Sequence, residues 1–154
     1  MRRNRCYSVL ILLVLLCGGS AFASVSLPDI PGYTAGVLRN TPLSAPSGDF
    51  GVWLSRTYRS PGGRILEATL MSGPGAGPLV AGAEGSKTDD RPLGFGATYE
   101  VFSLDGKTAV YETIPSVGRS LAVAVDTNST LTLESASLGR KELEEAALHL
   151  MRAM

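Results

Sequence analysis

Cysteine is nearly missing from this chain. Its 154 residues contain two, Cys6 and Cys17, and both lie before residue 18. Histidine is rarer, with His149 alone. One histidine excludes a multi-histidine metal centre, and without downstream cysteine there is no thiolate ligand set or disulfide framework. Basic runs are also short, the longest after the leader being Arg140-Lys141. No basic stripe carries interleaved aromatics, so the sequence gives no support to a nucleic-acid partner. Past the leader, no apolar run approaches the roughly 20 residues that a membrane-spanning helix needs.

The start of the chain is where apolar residues do concentrate. Arg2, Arg3 and Arg5 form a positive region, Val9 to Leu16 is an unbroken apolar run, and Ala21-Phe22-Ala23 is an A-x-A site. This is the pattern of a secretory signal, cut between Ala23 and Ser24. A rival site is Cys17, which a lipoprotein would acylate. Leu15 and Leu16 precede it, where that processing takes small residues, so the reading favours soluble export over a lipid anchor. Cleavage after Ala23 leaves 131 residues and removes both cysteines and three of the 14 basic residues. The balance becomes 11 basic against 14 acidic, a net charge of −3. An exported chain without cysteine points to a bacterial envelope, periplasmic or secreted. No membrane span remains after the signal is removed.

Three segments follow from the composition: the signal over 1–23, an extended arm with a first strand over 24–50, and an α+β domain over 51–154. Within the arm, Tyr33 to Leu38 reads as a short strand and 40–51 (NTPLSAPSGDFG) as a turn-rich loop. Three hairpins are expected after it. Val52–Arg59 and Arg64–Met71 flank Ser60-Pro61-Gly62-Gly63, where glycine at the third turn position accepts positive φ. Tyr99–Leu104 and Lys107–Thr113 flank Asp105-Gly106, a strong hairpin signal. Leu121–Val125 and Leu131–Ser135 are joined by a three-residue loop, 127–129, with Asn128 left-handed. That loop keeps Val125 beside Leu131 and Val123 beside Leu133, because a one-residue slip reverses the faces. Between the first two hairpins, residues 72–96 hold seven glycines and three prolines. The composition predicts a long loop without regular structure. The chain closes with a helix over about 140–151, with Leu143, Ala146, Ala147, Leu150, Met151 and Met154 on one face.

The expected fold is α+β: an antiparallel sheet of about five to seven strands covered by the C-terminal amphipathic helix. The succession "YEVFSLDGKTAVYE", "SLAVAVDTNSTLTLES" and then a helix resembles small exported domains of the PsbP-like kind. The likeness is one of layout over residues 51–154. It implies a twisted antiparallel sheet under helices and carries no catalytic residue.

Motifs for chemistry are mostly incomplete. Gly106-Lys107-Thr108 ends like a phosphate loop, but Val101 stands where the first glycine is needed and the context is β. Residues 73–78 lack G-x-G-x-x-G, and their prolines remove N–H donors. Asp89-Asp90 with Glu84 lacks calcium-loop spacing. His149, four residues after Glu145, reads as half of a helix-surface pair. No cofactor is implied. Glu67, Glu100 and Glu112 on strands leave open a hydrolase with carboxylates under the 72–96 loop. Trp53, Arg56, Tyr58 and Arg59 form the candidate surface for a protein or small ligand. The reading therefore favours a non-enzymatic binding or accessory domain. The alternatives are that hydrolase and a lipid-anchored envelope assembly factor.

Overall fold

The computed structural model describes residues 26–91 and 94–154. Ala21, Ala23, Ser24 and Cys17, and with them both processing sites, lie outside the described residues. The elements are β1 (Thr34–Ala35), β2 (Arg39–Ala45), β3 (Gly48–Arg59), β4 (Ile65–Ser72), β5 (Lys87–Asp89), β6 (Thr98–Leu104), β7 (Lys107–Ile114), β8 (Gly118–Asp126), β9 (Ser129–Ser135) and α1 (Arg140–Ala153). All nine strands join one antiparallel sheet in the order β1-β3-β4-β9-β8-β7-β6-β5, with β2 also paired to β3. The described residues are mostly β, with 50% in strands and 11% in the helix. It has more strands than the five to seven expected. No helix among the described residues is long and apolar enough to cross a membrane.

The extra strands come from the segment read as loop. Residues 39–45 and 48–51 form the β2–β3 hairpin, with Arg39 opposite Ser55 and Ala45 opposite Gly48. Nearly every side chain of β2 is exposed, so no apolar alternation marks it. Main-chain pairing to an edge holds it, and an edge tolerates Pro42. The first strand shrinks to Thr34–Ala35. The 72–96 segment also contains β5, which pairs Lys87 with Glu100. It is tied at its start by Gly73 N–H to the Asn128 carbonyl and Gly75 N–H to the Phe50 carbonyl. Further on, Gly85 N–H bonds the Val101 carbonyl.

The first two hairpins form where expected. In the 60–64 turn the positive φ falls on Gly63, at 79°, one residue later than predicted. Asp105 and Gly106 are both left-handed, at 52° and 75°, the geometry of a turn whose twist matches its strands. The third hairpin differs. Its loop has two residues, since Asp126 pairs with Ser129, and a bulge at Val125 resets the faces. Val123 then lies opposite Leu131 and Leu121 opposite Leu133. One inserted residue does the work assigned to a longer loop. The Lys107 ammonium donates to the bulged Val125 carbonyl. Asp126 Oδ1 accepts the Asn128 N–H, and Asn128 stays out of the left-handed region.

One face of the sheet is the core. Leu54, Tyr58, Leu66, Ala68, Leu70, Leu131, Leu133, Leu121, Val123 and Ala109 pack there against Leu143, Ala146, Ala147 and Leu150 of the helix. Glu142 starts that helix by accepting the Gly139 N–H at 2.9 Å, and it ion-pairs with Arg64 at 2.6 Å. These two partners, the backbone N–H first, hold the Glu142 carboxyl below the usual carboxylate range.

The N-terminal arm belongs to this core. Leu27 and Ile30 are buried. The Arg56 guanidinium donates to the Leu27 carbonyl at 2.7 Å and the Gly36 carbonyl at 2.9 Å, and pairs with Asp29 at 2.8 Å. The Tyr58 hydroxyl donates to the Pro28 carbonyl at 2.6 Å. Burial pushes that phenol above its ordinary pKa. His149 bonds the Asp29 carbonyl at 3.0 Å, so its ring meets the arm, while Glu145 pairs with Lys141 at 3.8 Å.

Candidate functional site: an acidic cleft on the open face

Residues opposite one another in an antiparallel sheet share a face. Glu67 lies opposite Glu134, Glu134 opposite Ser120, Ser120 opposite Glu112, and Glu112 opposite Tyr99. One row thus crosses five strands on the face away from the helix. With strands about 4.8 Å apart, the three glutamates span roughly 14 Å.

The row floors a cleft of about 650 Å³. One wall is the 60–64 turn, closed by Ser60 N–H to the Arg64 carbonyl and Gly63 N–H to the Ser60 carbonyl. A second is the 114–117 turn, where Val117 N–H bonds the Ile114 carbonyl. Pro115 suits its second position. Ser116 at its third has φ 67°, a left-handed conformation that disfavours a side chain. This turn holds Val117 out, 66% exposed, and Ile65 on the facing wall is 39% exposed. The third wall is the 135–137 segment. Ser135 Oγ donates to the Ile65 carbonyl and accepts the N–H groups of Ser137 and Leu138, which turns the chain from β9 toward the helix. Gly118 packs so close that a Cβ would strike the Ser135 carbonyl and Ala136.

Glu67 and Glu134 are exposed and Glu112 is half-buried. Among the described residues, none of the three forms an ion pair. The basic side chains of the walls are occupied elsewhere. Arg64 holds Glu142, and Arg119 donates to the Leu138 carbonyl at 3.3 Å. Tyr99 lies opposite Glu112, and interaction with that carboxylate keeps the phenol above its ordinary pKa.

The helix side shows the opposite pattern. Glu100 pairs with Lys87 at 3.1 Å and Arg140 at 3.0 Å, and the hydrogen bonds from Lys87 and then Arg140 lower its pKa. Arg140 also pairs with Glu144 and lies over Phe102 at 4.3 Å and Tyr111 at 5.2 Å. A smaller hollow of about 340 Å³ opens here, but its charges satisfy one another. Asp89 pairs with Arg91, whose hydrogen bond lowers the carboxyl pKa. Asp90 Oδ2 accepts the Phe95 N–H and closes its loop.

The candidate carboxylates therefore divide. Glu67 and Glu112 share the cleft, and Glu100 lies on the opposite face. Glu134, which the sequence reading passed over, stands between the two. No described residue of the 72–96 segment lines the cleft. The surface of Trp53, Arg56, Tyr58 and Arg59 also divides. Tyr58 is buried and Arg56 is committed to the arm, leaving Trp53, 48% exposed, and Arg59 on the open face. Alternation explains this, since Arg56 and Tyr58 follow Leu54 inward. Among the described residues, no three His, Cys, Asp or Glu side chains are placed to hold a metal ion.

Comparison with family models, curated proteins and solved structures finds no match for this chain.

Proposed function

We propose that the chain is an exported bacterial envelope protein that acts as a non-enzymatic binding or accessory domain, with the open-face cleft as its contact site. The observation that carries this is the contrast between the two faces. Glu100, Glu142 and Glu144 on the helix side are paired, whereas Glu67, Glu112 and Glu134 in the cleft have no ionic partner among the described residues. Exposed like charges placed opposite one another without an ion-pair partner are costly to keep side by side, and a ligand relieves them. Glu67 and Glu134 project from one sheet surface, in parallel and in water. A glycosidase pair faces across the bond it cleaves, with one carboxyl desolvated. Export rests on the leader pattern.

Two measurements test the reading. Intact mass of the protein from its native envelope should correspond to a chain starting at Ser24. A diacylglyceryl mass starting at Cys17 would replace soluble export with a lipid anchor. A photo-crosslinking residue at Val117 should capture a partner in intact cells, and one at Val37, 85% exposed on the far edge, should not. Capture at Val37 alone would move the contact site away from the cleft.

A further inference from the structure

We infer that the cleft takes a basic, partly apolar polypeptide segment in extended conformation. This rests on the proposed binding role and names the occupant. Charge complementarity sets its sign. The floor presents three carboxylates, and Arg64 on the wall is paired with Glu142. Arg119, which donates to the neutral Leu138 carbonyl, and Arg59, opposite Ile65, keep their charges, so two cations stand against three carboxylates and the carboxylates remain in excess.

The apolar character comes from Ile65 and Val117, exposed on facing walls. Small exposed apolar groups beside a charged floor suit a segment that carries aliphatic residues between its basic ones. A free metal ion offers nothing to those walls, and the phosphates of a nucleotide are repelled by the carboxylate floor. Shape sets the conformation. The cleft is open and crosses four strands, whereas small-molecule sites enclose most of their ligand. An extended chain places side chains of one face about 6.7 Å apart, so residues four positions apart are about 13 Å apart. That matches the roughly 12 Å from the midpoint of Glu67 and Glu134 to Glu112, taken as two and a half strand spacings. The first basic residue sits between Glu67 and Glu134, the second over Glu112, and a small polar residue between them faces Ser120.

The test is amide-resolved NMR titration of the full mature chain with three short peptides. One carries lysines four positions apart with leucine between them, and the others replace the lysines with glutamine or glutamate. The lysine peptide should shift the signals of Glu67, Ile114, Ser120 and Glu134. Its affinity should weaken with added salt and fall at least tenfold in E67Q/E134Q, while E145Q on the helix surface leaves it unchanged. Charge reversal in E67K/E134K should transfer preference to the glutamate peptide. Salt dependence and the peptide series on the unaltered protein decide the matter if a variant fails to fold. Equal binding of all three peptides, or of the glutamate peptide first, at these signals overturns the cationic occupant and leaves the binding role standing. Lysine-peptide shifts elsewhere, or none, overturn the inference. The crosslinking at Val117 then decides separately whether the cleft binds anything.

Discussion

Replacing Arg56 with methionine should cost far more than neutralising the acid it pairs with. The guanidinium joins three parts of the N-terminal segment, namely the Leu27 carbonyl, the Gly36 carbonyl and the Asp29 carboxylate. A hydrogen bond from a charged donor contributes about 1.5–3 kcal/mol, and more of it is lost where the orphaned acceptor is screened from water. The Leu27 carbonyl is part-buried, so the upper half of that range applies. The Gly36 carbonyl is exposed, and water replaces its partner for about 0.5–1 kcal/mol. The Asp29 side chain is 79% exposed, so its ion pair contributes under about 1 kcal/mol. R56M, which keeps the length of the stem, should therefore lose about 3–5 kcal/mol, and D29N less than about 1 kcal/mol. Urea unfolding followed by circular dichroism measures both. If D29N costs as much as R56M, the ion pair carries the interaction and the carbonyl argument fails. If R56M costs less than about 1 kcal/mol, the arm is not part of the cooperative core.

Two other predictions concern the cleft wall and the helix start. S116G should stabilise the protein by about 0.5–1 kcal/mol, because glycine relieves the left-handed strain at the price of some unfolded-state entropy, and S116V should destabilise it, again by urea unfolding. Since Glu142 has a folded pKa below its ordinary value, its stabilisation is complete above the ordinary carboxylate range and is lost as pH falls through the depressed value. Melting temperature should therefore drop more steeply as pH falls below the ordinary carboxylate range in the parent than in E142Q.

The sequence made the local structure legible and the long-range structure much less so. Pro61-Gly62-Gly63 and Asp105-Gly106 announced two hairpins because turn chemistry is local. The apolar stripe from Leu143 to Leu150 announced the helix face. The β2 strand was hidden because its side chains face water and its stability lies in backbone pairing. The Val125 bulge was hidden because a bulge and a longer loop restore the same face parity. The binding surface was the least legible. Alternation from Leu54 already implied that Arg56 and Tyr58 turn inward. Glu134, in contrast, joins Glu67, more than 60 residues before it in the chain, only through pairing between β4 and β9. Nothing local to Glu134 signals that neighbour.

The two faces of the sheet thus have different work. One is filled by the helix, the arm and closed charge networks, and the other presents a cleft whose carboxylates face water. Carboxylate footprinting tests that division most directly, comparing the protein in intact cells with the purified chain. Glu67 and Glu134 should be modified readily in the purified protein and protected in cells, while Glu145 on the helix surface is modified equally in both. Equal modification of Glu67 and Glu134 in the two states, or protection confined to Glu145, would contradict the account.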